Sequence, residues 1–166
     1  MIGKTTTSLL LLLTVLIASI WFWQSAPKQL SRPAPEVSFK TLQGHSIERK
    51  ELTGKPLLVT FWATDCKSCL EEIPHLIQLH QQFSTSGLTI IAVAMPYDPP
   101  NRVLNMTQTK SIPYEVALDP SGSIAQAFGD VKLTPTSFLI DRAGKIVMQH
   151  LGKFDLTDMT QRIERL

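Results

Sequence analysis

At 166 residues the chain has room for one domain of ordinary size and a small appendage. Its 16 Lys and Arg and 14 Asp and Glu leave a net charge of +2, scattered without a basic run or a basic helical stripe, which excludes an electrostatic footprint for nucleic acid. Only two cysteines, Cys66 and Cys69, are present.

Between Lys4 and Lys28 lie 23 residues without a charge, with "LLLLLTVLIASIWFW" at their centre. At about 1.5 Å rise per residue such a helix is roughly 35 Å long, enough to cross a hydrocarbon core. Trp21, Phe22 and Trp23 close the run where an interfacial aromatic belt sits. A cleaved signal peptide competes with this reading, but its apolar region is usually shorter and ends in a small-x-small site. Here the small pair near the end, Ser25 and Ala26, follows Trp23 and Gln24. The expected organisation is a cytoplasmic tail over 1–4, a transmembrane anchor over 5–23, a linker over 24–33 and a folded domain over 34–166. Lys4 and the free amine are nearly balanced by Lys28 and Arg32, and the short leading tail tips the orientation towards N-terminus inside. The domain then lies in the periplasm or an equivalent extracytoplasmic space, at the inner membrane, where disulfides persist.

The linker "QSAPKQLSRPAP" carries three prolines and no apolar periodicity, as a short extended tether requires. "EVSFKTLQGHSIERKEL" alternates around Gly44 and predicts a hairpin. "PLLVTFWA" is a continuous apolar run, the pattern of a strand buried on both faces. After Cys66 the period becomes helical through Leu70, Ile73, Ile77, Leu79, His80 and Phe83, with a kink expected at Pro74 and an end at Gly87. "LTIIAVAM" predicts a second buried strand, "NRVLNMTQTK" a helix, "YEVALD" a short strand and "GSIAQAFG" a short helix. "TSFLID" and "KIVMQHL" flank the turn "RAG" as a hairpin, and "DLTDMTQRIERL" closes the chain as a helix with Asp155 as N-cap. Strands alternating with helices, then a hairpin and helix, predict an α/β domain with a mixed sheet covered on both faces.

In this layout Cys66 sits where a buried strand hands over to a helix, and Cys69 lies one turn further on. The helix N-terminus favours an anion, which is what a thiolate is, so Cys66 is the expected nucleophile. A mixed disulfide on Cys66 can be resolved by Cys69, returning an internal bridge. As a structural staple the pair is weak, because so short a loop removes little unfolded-state entropy. A closed zinc site needs four ligands, and no second CxxC or finger-spaced histidines exist. Two thiolates suffice for Cu(I), so copper binding or delivery stays open as the alternative.

"FWATDCKSCLEEIP" resembles the active-site segment of the thioredoxin-like TlpA/ResA family of membrane-anchored thiol-disulfide oxidoreductases. "LTPTSFLIDRAGKIV" is similar to the segment in which that family places a cis-proline opposite the cysteines, and "APEVSFKTLQGHSIERKELTGKPLLVTFWA" resembles its N-terminal hairpin and first core strand. The resemblance runs from Ala34 to the C-terminus and implies a thioredoxin-like fold. It makes Cys66 the attacking and Cys69 the resolving cysteine, and Pro135 a cis-proline with Thr134 before it offering backbone groups to a substrate strand. It also implies reduction of disulfides in exported proteins, for example in cytochrome c maturation. Electrons would come from a membrane thiol-transfer donor, without an organic cofactor or metal.

Glu72 aligns with an acid that some family members use near the cysteines. A partly buried carboxylate there can take the proton of Cys69, whereas the plain alternative for Glu72, as for Glu71, is an exposed first-turn residue stabilised by the helix dipole. The family commonly has Trp before the first Cys and Gly-Pro or Glu-Pro between the two; this chain has Asp65, Lys67 and Ser68. Asp65 would raise the Cys66 pKa and Lys67 would lower it, unless Asp65 is the helix N-cap. Trp62 is expected to pack under the active-site loop, with a second role in touching substrate. "YDPPNRV", after the second buried strand, is expected at the end of the sheet where α/β folds gather ligand contacts.

Overall fold

In the computed structural model, residues 32–166 are described. The expected tail, the expected anchor and the expected linker before Arg32 fall outside them, and no helix among the described residues is long and apolar enough to cross a membrane.

In chain order the elements are β1 (Arg32–Pro33), β2 (Ser38–Thr41), β3 (Ser46–Glu48), a 3-10 turn (Arg49–Leu52), β4 (Leu57–Trp62), α1 (Lys67–Phe83), β5 (Thr89–Ala94) and α2 (Pro100–Thr109). There follow β6 (Glu115–Leu118), α3 (Ser123–Ala127), β7 (Thr136–Ile140), β8 (Lys145–Leu151) and α4 (Leu156–Glu164). The strands form one sheet in the order β1-β8-β7-β4-β5-β6-β2-β3. β4 pairs in parallel with β5, and β5 with β6; every other pairing is antiparallel. The sheet is therefore mixed, as the alternation of predicted elements implied. It starts two residues before the expected domain boundary at Ala34, because Arg32 and Pro33 pair with Ile146 and Lys145 on the free edge of β8. A proline is tolerated on such an edge, where its missing N–H costs no internal ladder bond.

β4 lies at the middle of the sheet and all six of its residues are buried. Its alternation divides the core in two. Leu57, Val59 and Phe61 join Phe39, Ile91, Phe128 and Phe138 on one face. Leu58 and Trp62 join residues of α1, α2 and α4 on the other. α1 buries Cys69, Glu72, Ile73, Leu76, Leu79 and Phe83, spaced by three and four residues so that one stripe faces the sheet. The helix continues through Pro74 and ends at Phe83, ahead of the expected stop at Gly87. The ring sits on the exposed side, and only the Leu70 carbonyl loses its intrahelical partner. α4 begins as the sequence implied, with the Asp155 carboxylate accepting the Asp158 N–H at 2.8 Å.

Candidate active site

The β4 ladder ends at Trp62, and the chain turns through Ala63–Cys66, where the Cys66 N–H donates to the Ala63 carbonyl at 3.2 Å. Helix α1 begins immediately afterwards, and its N-cap is Cys66, whose Sγ accepts the Cys69 N–H at 3.2 Å. Asp65 is not the N-cap: it lies one residue too early, outside the helix and exposed, because the cap hydrogen bond is made by sulfur in place of a carboxylate. The Cys66 Sγ also lies 3.5 Å from the Ser68 hydroxyl. Cys66 and Cys69 form a disulfide, with their Cα atoms 5.2 Å apart. Cys66 is half-buried, whereas Cys69 is 3% exposed and joins the core. Access from solvent is therefore to Cys66.

The Thr134–Pro135 peptide is cis. β7 pairs with β4 so that Thr136 stands opposite Phe61, which brings Thr134 and Pro135 to the sheet end where β4 hands over to the cysteine turn. The Pro135 carbonyl accepts the Gly152 N–H at 2.8 Å. Among the described residues neither the N–H nor the C=O of Thr134, two residues before β7, has a hydrogen-bond partner. Leu133 and Leu151, 62% and 58% exposed, flank it.

Beneath the disulfide the sequence left Glu72 between a solvated and a buried role; the structure buries it, at 1% exposure. Its Oε1 accepts the Phe154 N–H at 3.0 Å. Burial pushes the Glu72 carboxyl up from 4.5 to about 7, against the Phe154 hydrogen bond and the Lys153 ammonium, which both pull it down. Its neighbour Glu71 is half-exposed and pairs with Lys153 at 3.4 Å. Glu72, Cys69, Trp62 and Tyr114 share the wall of one cavity of about 10 Å³, the scale of a single water. Burial, and secondarily the Glu72 charge, push the Tyr114 hydroxyl up.

Trp62 is 4% exposed and lies inside this core, so it packs under the turn and does not present its ring to a substrate. Its indole N–H is buried without a partner among the described residues. Lys67, the first residue of α1, is exposed beside Cys66. Sequence reasoning missed Asp98. It lies in the "YDPP" loop after β5, is 7% exposed, and its two carboxylate oxygens accept the Thr64 N–H at 2.6 Å and the Thr64 hydroxyl at 2.8 Å. The sequence predicts this loop at the ligand end of the sheet, but nothing in the sequence pairs its acid with Thr64.

A redox-capable pair at a strand-to-helix turn, with a cis-proline at the same end of the neighbouring strand of a mixed sheet, defines a thioredoxin-like thiol-disulfide oxidoreductase. A family model described as Redoxin matches residues 29–164. The thiol-disulfide oxidoreductase ResA of Bacillus thuringiensis (strain Al Hakam) is 34% identical over 133 residues, covering 80% of this chain and 76% of its own. That of Geobacillus thermodenitrificans (strain NG80-2) is 28% identical over 164 residues, covering 97% and 93%. The crystal structure of a thiol:disulfide interchange protein of the thioredoxin family from Chlorobium tepidum TLS matches with a TM-score of 0.75 at 28% identity, over 81% of this chain and 95% of that one. The chain belongs to the Redoxin family, in its thioredoxin-like ResA/TlpA group.

Proposed function

We propose that the protein is a membrane-tethered protein-disulfide reductase working in the periplasm or an equivalent extracytoplasmic space. It would act on cysteines of exported proteins, such as those of cytochrome c maturation. The observation that carries the reading is the N-cap position of Cys66: the aligned Cys69 N–H and the helix dipole favour a thiolate at the more accessible of the two sulfurs.

In the reductive cycle the Cys66 thiolate attacks one sulfur of the substrate disulfide, the substrate S–S bond breaks, and the departing sulfur takes a proton from solvent. Cys69 then loses its proton to Glu72, which a carboxyl raised to about 7 accepts near neutral pH. The Cys69 thiolate attacks Cys66 Sγ, the second substrate sulfur leaves and is protonated, and two electrons have passed to substrate as the Cys66–Cys69 bridge closes. Thr134 offers its free N–H and C=O to the backbone beside the substrate cysteine, while Asp65 and Lys67 bias the Cys66 thiolate in opposite senses. A membrane thiol-transfer donor would reopen the bridge.

The uncharged run over 5–23 supports the tether, and the family resemblance supports the reductive direction. Trapping tests the cycle: Cys69→Ser should hold exported substrates as mixed disulfides on Cys66, and an empty trap overturns it. The potential against glutathione tests direction, since a value at or above the roughly −120 mV of a strong oxidant overturns the reductase reading. Among the described residues no group of three or more His, Cys, Asp or Glu gathers to hold a metal ion. Tight Cu(I) binding by the reduced protein with negligible exchange would instead favour the copper carrier.

A further inference from the structure

Asp98 is a buried carboxylate whose hydrogen bonds do not serve its own helix. The N-cap of α2 is Pro99, with no side-chain cap bond, so the acid one residue earlier is not there to start that helix. Both of its oxygens instead reach 34 positions back along the chain, to the N–H and hydroxyl of Thr64. The loop carrying Asp98 is held at both ends. Before it, the Met95 N–H extends the β4–β5 ladder to the Trp62 carbonyl at 3.0 Å, and the Asp98 N–H closes a turn on the Met95 carbonyl at 2.9 Å. After it, Pro99 and Pro100 restrict the backbone at the start of α2. Burying a carboxylate is costly unless its lone pairs are taken up, and here both oxygens are. Thr64 is the second residue of the turn that ends at Cys66.

We propose that Asp98 is a positioning residue of the dithiol site. By clamping both polar groups of Thr64, it fixes the 63–66 turn and so holds the Cys66 sulfur at the Cys69 N–H and over the first turn of α1. This rests on Cys66 being the attacking cysteine. Without the clamp the turn loosens, the sulfur leaves its N–H donor, and less thiolate forms at neutral pH. A purely electrostatic role has the opposite sign: removing a carboxylate near the thiolate would favour ionisation.

The difference in sign makes the test. In a Cys69→Ser background, where Cys66 is the only thiol, the rate of alkylation by iodoacetamide is followed across pH. Asp98→Ala should move the midpoint upward and slow alkylation at pH 7 about tenfold, the worth of one good hydrogen bond to a charged group. Asp98→Asn, whose amide can accept from the N–H and donate to the hydroxyl of Thr64, should rescue the midpoint or move it downward. Equal downward shifts for both variants, or no shift in either, overturn the proposal. Should Asp98→Ala not fold, Thr64→Val against Thr64→Ser carries the test: Val is expected to slow alkylation about threefold, since it loses one of the two bonds, and Ser to restore it. No difference between Val and Ser overturns the proposal. A Cys66 that is unreactive near neutral pH in the Cys69→Ser protein with native Asp98 and Thr64 refutes instead the assignment of the nucleophile.

Discussion

On one side of β4, Leu57, Val59 and Phe61 meet a cluster in which the rings of Phe61, Phe128 and Phe138 lie 5.0 to 5.9 Å apart in edge-on or tilted contacts. On the other, Leu58, Thr60 and Trp62 meet α1, where a buried carboxyl, an unpartnered indole N–H and a water-sized cavity sit under the disulfide. Adjacent residues of one strand thus serve different ends. The aromatic side is packed for stability, each ring pair adding about 1 kcal/mol beyond its burial. The dithiol side gives up packing and desolvates a charge to keep a proton acceptor next to Cys69.

Truncation on the aromatic side should have the largest effect on stability. Phe138→Ala removes a ring with 0% exposure that contacts two others, and a loss of about 3–5 kcal/mol is expected in chemical denaturation. The alkylation rate of the reduced protein under native conditions should change little; a large change there would show that the two sides are coupled.

On the dithiol side the sign reverses. A carboxyl whose folded value is raised binds its proton more tightly in the native state, so native stability is fullest below about pH 4.5 and is lost as pH rises towards 7 and beyond. The shift from 4.5 to about 7 corresponds to roughly 3 kcal/mol for a group this buried. Glu72→Gln keeps an acceptor for the Phe154 N–H and removes the ionisation. It should therefore gain up to that amount at pH 8 relative to its own difference at pH 4, while exchange slows at the resolving step. A parallel pH dependence in the two proteins would place the charge elsewhere.

The smallest expected effect lies at the edge of the same side. Asp155→Ala deletes the cap of α4, whose Met159 and Ile163 line the dithiol-side core, and should cost about 1 kcal/mol by thermal or urea unfolding without altering the potential.

Much of this architecture could be read locally. The apolar runs of β4 and β5, the helical period after Cys66, the hairpin around "RAG" and the cap at Asp155 are each written within a dozen residues, and the structure follows them. Cys66 and Cys69 are recognisable from their spacing and their place at a strand-to-helix junction, whereas the cis peptide at Pro135 follows only from the family resemblance of its flanks. The readings the sequence leaves open or misses share one cause, which is that the deciding partner is distant or is not of the usual type. Asp65 was offered as a cap because a carboxylate normally takes that role, and a sulfur one residue later took it. Glu72 could not be placed until α4's approach showed Phe154 above it, 82 positions away. Asp98 became visible only when β5 was laid beside β4, bringing its loop against Thr64.

The pairing of β1 with β8 carries a consequence of its own. Arg32 and Pro33 join the edge strand at Ile146 and Lys145, whereas the other end of that strand, at Leu151, lies level with Thr136 beside the cis-proline. From Ile146 to Leu151 the strand climbs roughly 17 Å at about 3.3 Å per residue. On the tethered reading, the chain arriving from the membrane is moored at the foot of the sheet and the sulfurs are carried at its head. On that reading the length of chain before Arg32 would set how far from the lipid surface the sulfurs can stand.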